Sequence, residues 1–396
     1  VDGAATPQET ELIVVRGAHR IMTEQAALTA RILTDFPQAS RLWAKDAAVY
    51  GAPQSFAWID CWRGHVNPDC FVAGLFANDR PVLLLPLEVV TSKGVKIARY
   101  PGGSHANCNF PWIDPETAGL LDRDALDRMV AAIRKARPEI DALSLTRQLP
   151  TLSDMDSPLL QLGRSLNPNP VLAASLSGGF DAILERSNRR RRLKKHRQHG
   201  RRYEEIGGWK IASPETHAES DGLLDLFFEM KAHRFRQMGI SDPFADAGVQ
   251  AFFKALFAKA VCQADATNEL RFLEAGGVVR SIIGKTISKT GPTVDFGAIA
   301  DDDLITASPG EFLFFEDIKR SCDIGHPVYS LGIGDEPYKR DWCDIEFAIY
   351  DTVLPLSAKG RMYAFAQTLT AGLAVIVKRN PRLWQFAKTV RSKFLR

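Results

Sequence analysis

TASPGEFLFFEDIKRSCDIGHPVYSLGIGDEPYKRDW, residues 306–342, carries the densest set of structural signals in the chain. Ser308 stands at a helix N-cap position, Pro309 at the first helical position and Glu311 three residues after the serine, which spells a capping box. Phe312, Phe315, Ile318 and Cys322 recur at helical spacing. Gly325 is a natural helix stop. Val328 to Ile333 alternates as a strand does. The chain then turns through Gly334-Asp335-Glu336-Pro337 and reaches Tyr338-Lys339. A helix start, a strand and a lysine after a tight turn make a half-site for an anionic ligand, because helix-start amides and an ammonium both favour negative charge. The same pattern also describes an ordinary helix–strand unit with a surface lysine.

This stretch resembles the C-terminal signature of the CelD-type acetyltransferases, a GNAT-like family linked to bacterial exopolysaccharide and cellulose synthesis. The shared features are the Ser308-Pro309-Gly310 helix start, the strand, and Gly334-Asp335 followed by Tyr338-Lys339 and the aromatic Trp342. The likeness is specific here and looser over residues 170–345. The glycine-rich pyrophosphate loop usual in GNAT domains is absent.

With 396 residues, 45% hydrophobic and 24% charged, the chain is long enough for two domains with sizeable cores. No apolar run approaches the ~20 residues of a membrane span. The six cysteines are scattered without a CxxC pair, which suits free thiols in a reducing cytoplasm. Cys61, His65 and Cys70, and likewise His105 and Cys108, have no spacing of a structural zinc site, so no metal is expected. The net charge of +3 hides a strong asymmetry. Residues 1–165 sum to −2, residues 186–202 hold ten Lys/Arg and no acid, and residues 378–396 hold seven and no acid. The remainder is therefore at −12, and two basic blocks on an acidic body point to local anionic partners rather than to a general nucleic-acid surface.

Residues 18–48 read as one or two helices and residues 55–65 as another. A three-strand meander follows: residues 71–77, a turn at Asn78-Asp79, residues 81–90, a turn at Lys93-Gly94, and residues 95–100. A glycine-rich loop, an amphipathic helix at 122–137 and a strand at 142–146 complete the half. The second half repeats the order, with helices at 221–238 and 247–264, strands at 270–275, 278–288 and 293–299, then the helix and strand of the opening stretch. Given the resemblance, the expected fold is α/β: two tandem GNAT-like domains, residues 1–166 and 167–350, each a mixed central sheet flanked by helices. A basic helical arm occupies 181–203, and a basic amphipathic tail 351–396 lies outside the core.

The arm contains Arg189, Arg190, Arg191 and Arg192, then Lys194 and Lys195, with few apolar residues after Leu184, so a mostly solvated helix is expected. Like charges four residues apart repel by a few tenths of a kcal/mol, which a bound anion relieves. CelD-type and Fem-type peptidyl transferases both resemble this stretch, and the Fem-type likeness implies Arg189 to Arg192 as phosphate contacts of the acceptor. No aromatic residue interleaves the arginines, which disfavours single-stranded nucleic acid. The tail mixes Leu, Val, Ile, Trp and Phe with its cations and reads either as an amphipathic pair at an anionic membrane interface or as a packed, solvated element.

Acyl transfer of this type needs a proton acceptor, an oxyanion site and two positioned substrates. Asp295 in TVDFGAI is one candidate base and His233 a weaker second. The Fem-type likeness implies that Lys339 stabilises developing negative charge with Tyr338 beside it. Backbone N–H groups of Ser308 and Gly310 would face a donor phosphate, with Glu311 in the same turn as a repelling carboxylate. His105, Asn107 and Asn109 in the loop GGSHANCNF would bind an acceptor sugar or peptide between the domains. The expected function is a cytoplasmic acyltransferase, working at the inner membrane surface if the tail docks there. It would take acetyl-CoA as cosubstrate and act on a sugar, nucleotide-sugar or lipid-linked acceptor of a surface polysaccharide. The alternatives are a Fem-type transfer from aminoacyl-tRNA to a peptidoglycan precursor, with tRNA then the nucleic-acid partner, and a non-catalytic assembly protein that binds glycan or membrane.

Overall fold

The computed structural model describes residues 28–261 and 267–379. The chain opens with β1 (Thr29–Leu33), α1 (Phe36–Ser40) and α2 (Phe56–His65). Part of the helix expected over 18–48 lies outside the described residues, and the rest is corrected: Thr29–Leu33 pairs antiparallel with the next strand, Thr29 opposite Phe76. Pro37 explains the failure, since a helix does not run through a proline; α1 is a five-residue turn that Asp35 caps from its side chain.

The meander is β2 (Cys70–Ala77), β3 (Arg80–Ser92) and β4 (Val95–Arg99). Asn78 and Asp79, and then Lys93 and Gly94, all have positive φ, the pair of left-handed residues that a two-residue hairpin requires. Two-residue β5 (Trp112–Ile113) lies beside β3. After α3 (Arg123–Ala136), capped by Asp122, strand β6 (Ala142–Gln148) runs parallel to β4. A small hairpin of β7 (Thr151–Leu152) and β8 (Met155–Asp156) leads to β9 (Ser165–Leu166).

The second half begins with β10 (Val171–Ser175), α4 (Gly179–Arg186), α5 (Arg189–Glu204) and β11 (Trp209–Ala212). It continues with α6 (His217–Met238) and α7 (Ala247–Ala258). Its meander is β12 (Asn268–Ala275), β13 (Val278–Ser288) and β14 (Gly291–Ile299). Next come α8 (Pro309–Ile324), β15 (Val328–Ile333), α9 (Pro337–Arg340), β16 (Ile345–Phe347), β17 (Tyr350–Pro355) and α10 (Ala358–Arg379).

The first sheet takes in a late strand. It runs β1-β2-β3-β4-β6-β17-β9 and the second β11-β12-β13-β14-β15-β10-β16. Strand β17 follows the strands of the second half, yet it lies between β6 and β9, with Leu354 opposite Leu143. Strand β10 stays in the sheet of its own half, between β15 and β16. Residues 351–355, expected to begin a tail outside the core, are thus part of the first sheet. Helix α10 then packs onto it: Ser357 Oγ donates to the Asp141 carboxylate, and a Cβ on Gly360 would lie 1.8 Å from the Asp141 carbonyl oxygen.

A second seam is aromatic. Trp58 and Trp62 of α2 meet Phe252 of α7 edge-on at 4.9 and 5.0 Å, in one apolar cluster that continues through Phe253, Phe227 and Phe296. On the opposite face of the second sheet, the fully buried Lys285 donates to both oxygens of Asp317 at 2.8 Å and lies 3.0 Å from Glu269. Tyr329 donates to the same Asp317 at 2.6 Å. This network ties β13, β15 and α8 together. Removing one member strands a buried charge, so Asp317→Ala should lower unfolding stability by about 3 kcal/mol in urea titration.

Candidate active site

Two irregularities of β14 build the site. Gly284 pairs with Phe296 and Lys285 with Val294, so Asp295 is the extra residue of a β-bulge. Parallel to β15, β14 pairs only once, Thr293 with Ser330, and the strands then separate. Beyond that point the β15 side of residues 295–298 has no strand partner among the described residues.

Asn107 fills the wedge. From the glycine-rich loop of the first half, its Nδ2 donates to Val294 O at 3.1 Å and to Asp295 Oδ1 at 2.9 Å, while its Oδ1 accepts from Ile333 N at 3.4 Å. Gly332 makes the approach possible: it has φ 73°, and a Cβ there would lie 2.8 Å from Asn107 Oδ1. Asp295 Oδ2 accepts from Thr286 Oγ1 at 2.6 Å. Burial pushes the Asp295 carboxyl up to about 6, against the downward pull of these two hydrogen bonds. The carboxyl therefore gains and loses its proton just below neutrality.

Asp295 stands between two cavities. One, of about 510 Å³, follows the open side of β14 and is walled by Gly310 and Glu311 of α8, Tyr338 and Lys339 of α9, and Lys231 and Arg234 of α6. The other, of about 230 Å³, lies between the halves and is lined by Ser104, His105, Phe244 and Phe253. Asn107, Lys231, Asp295 and Phe296 border both. Burial lowers His105 to about 4, so the ring is neutral at pH 7.

The structure thus gathers Asp295, Tyr338, Lys339, Gly310 and Asn107 around one cavity and puts His105 in the adjoining one. Lys339 is 5% exposed and partly engaged: its Nζ donates to Ile333 O at 2.7 Å and lies 3.0 Å from Glu336, leaving one of three protons uncommitted. Tyr338 is exposed and stacked on Phe314. Asn109 needs correction. It is 2% exposed, accepts from Gln54 at 2.7 Å and donates to Thr146 O at 2.8 Å, so it braces the interior of the first half and meets no ligand.

The capping box is also corrected. Ser308 has φ 49° and makes no side-chain cap, because it ends a 3-10 turn in left-handed geometry; it does not line the cavity. Glu311 pairs with Lys195 of α5 instead of closing the helix end. Among the described residues, the first-turn amides of Gly310 and Glu311 therefore have no side-chain acceptor.

The basic arm is two helices rather than one, and α5 is not mostly solvated. His196 stacks between Phe312 and Phe315 of α8 at 4.4 and 3.9 Å, and Tyr203 donates to Ala307 O at 2.9 Å. Arg189 pairs with Asp181 and Glu185. Arg192 donates to Asp341 O and lies 3.9 Å over Trp342, at the cavity rim. Arg190, Lys194, Arg197 and Arg201 form an exposed stripe along α5, with Arg191 beside it.

His233, on α6, faces away to Asp301 at 3.1 Å. Its neighbours Lys231 and Arg234 line the site, and the sequence reading passed over them. A signal existed, since both continue the face of buried Phe227 at i+4 and i+7.

Residues 187–340, from the start of α5 to the end of α9, match the family model described as Acetyltransferase (GNAT) domain. Three solved structures are similar. FemX shares 10% identity over 81% of this chain and 96% of that one, with a TM-score of 0.53. A conserved protein of unknown function from Bacteroides thetaiotaomicron VPI-5482 shares 11% over 80% and 96%, with a TM-score of 0.51. A tandem GNAT protein from the clavulanic acid biosynthesis pathway shares 10% over 84% and 99%, with a TM-score of 0.43. No curated protein matches the sequence. The fold is mixed α/β in two sheets, and residues 187–340 of the second half match the acetyltransferase (GNAT) domain model.

The bulge aspartate has a measurable signature. A carboxyl raised from 3.8 to about 6 keeps its proton in the folded state over a range where the unfolded chain has lost it. Stability therefore falls as pH rises through that range. Asp295→Asn should unfold at higher urea than the parent at pH 8 and match it near pH 4.

Proposed function

We propose that this chain transfers an acetyl group from acetyl-CoA to an amino or hydroxyl group of a sugar, nucleotide-sugar or lipid-linked precursor of a surface polysaccharide. The observation that carries the reading is the placement of Asp295 where two cavities meet, one along the open strand and one between the halves. A base at that junction touches both reactants.

Acetyl-CoA would supply an activated thioester. The unpaired β14 backbone beyond Thr293 suits an extended amide chain laid beside it, and its N–H groups suit a developing oxyanion. The Gly310 and Glu311 amides begin a 16-residue helix that favours a phosphate, and Lys195 neutralises Glu311. In the step itself the acceptor's N–H or O–H proton passes to Asp295 as the acceptor bonds the acyl carbon. The carbon–sulfur bond breaks and the thiolate leaves, to be protonated from water. Lys339 holds the end of β15 against α9 and presents its remaining proton to the cavity. Asn107 holds the base, and His105 with Phe244 and Phe253 offers a neutral, partly aromatic floor to the acceptor.

A second reading has its own support: likeness to FemX over four-fifths of the chain, together with the exposed cationic stripe of α5. In that reading the donor is aminoacyl-tRNA and the acceptor a peptidoglycan precursor. Calorimetric titration separates the two. Acetyl-CoA should bind saturably at micromolar Kd, and Arg190→Glu/Arg191→Glu should leave that binding intact. Absence of acetyl-CoA binding, with tRNA binding that falls steeply with salt, would replace the first reading by the second. In the first reading Asp295→Asn should keep the Kd for acetyl-CoA within about threefold and cut turnover about 10²–10⁴-fold. The parent's rate should rise with pH through about 6, as the carboxylate forms.

A further inference from the structure

Helix α10 is fixed to the first sheet at its start, through Ser357, Gly360 and β17. Its outward face displays Met362, Phe365 and Leu369, which are 76, 67 and 52% exposed. Their spacing of three and four residues sets them in a single stripe. No other element among the described residues bares three large apolar side chains in a row in this way.

The chemistry around the stripe selects its occupant. From Thr352 to Arg396 the chain holds nine Lys/Arg and no acid. Lys359 and Arg361 flank the stripe at its start and are exposed. Residues 371–377, AGLAVIV, are uncharged, and seven cations follow. A second copy of this chain would bring two such cationic segments together, which like-charge repulsion opposes. An acidic peptide would satisfy the cations and leave the apolar stripe wet. An anionic bilayer surface satisfies both: acyl chains accept Met362, Phe365 and Leu369, and lipid phosphates accept the cations. No helix among the described residues is long and apolar enough to cross a membrane, so the helix would lie on the surface.

We propose that the outer face of α10 docks this protein on an anionic lipid bilayer. The inference is independent of the acyl chemistry, because none of these residues lines the cavities around Asp295.

The test is flotation of the full chain with phosphatidylcholine vesicles and with vesicles containing about 30% phosphatidylglycerol, at two salt concentrations. Binding to the anionic vesicles should exceed binding to the neutral ones by about tenfold and weaken with salt. Phe365→Glu should reduce it by tenfold or more at an unchanged melting temperature, and Lys359→Glu/Arg361→Glu should reduce it while keeping the apolar stripe. The proposal is overturned if the parent fails to float with anionic vesicles or floats equally with both kinds. It also fails if Phe365→Glu binds like the parent, or if light scattering shows a dimer that Phe365→Glu dissociates.

Discussion

The carboxamide of Asn107 is the contact on which the site depends. It belongs to a loop of the first half, yet its hydrogen bonds go to Val294, Asp295 and Ile333 of the second. Strands β14 and β15 separate after a single pairing, and a polar side chain in that gap satisfies backbone groups that would otherwise be buried without partners. The same amide fixes the rotamer of the one carboxylate common to both cavities. A hydrophobic residue of similar size would fill the space without fixing the carboxylate. The relative position of the two halves and the aim of the base are therefore one geometric fact.

That fact is protected by redundancy elsewhere. Strand β17 puts a main-chain ladder across the boundary between halves, and the Trp58, Trp62 and Phe252 contacts add apolar burial to it. Such a boundary does not behave as a hinge. Two irregular features lie at the cavity, the bulge at Asp295 and the positive φ of Gly332. Local departures of this kind from regular geometry are a known way of pre-organising a site.

The local parts of this architecture were legible in the sequence. Asn78-Asp79 and Lys93-Gly94 mark hairpin turns because only residues that tolerate positive φ fit there, and each occurs where it was read. Helix α8 begins at Pro309 and ends before Gly325 as its punctuation states. What could not be read is non-local. Nothing in YDTVLP says that its partner is β6, about 200 residues earlier, so a strand was taken for a tail. Asn107 and Asn109 look alike in the loop, and only the fold turns one into the cleft and the other into the interior. Pro37 was a readable warning against a helix over 18–48. The Ser308 capping box failed because a helix start is decided by backbone conformation as well as by residue type, and the preceding 3-10 turn set that conformation.

The place of β17 in the first sheet has a consequence for the order in which the chain can be made. Strand β6 leaves the ribosome about 200 residues before β17, and at about 5–20 residues per second that gap lasts on the order of 10–40 s. Through that time the first sheet has β6 as an open edge, with the unpaired amides and carbonyls that invite wrong partners. The first half can collapse early, but its sheet cannot close until β17 arrives. Synthesis of the second half is thus followed by an intramolecular repair, in which a late strand seals the older sheet.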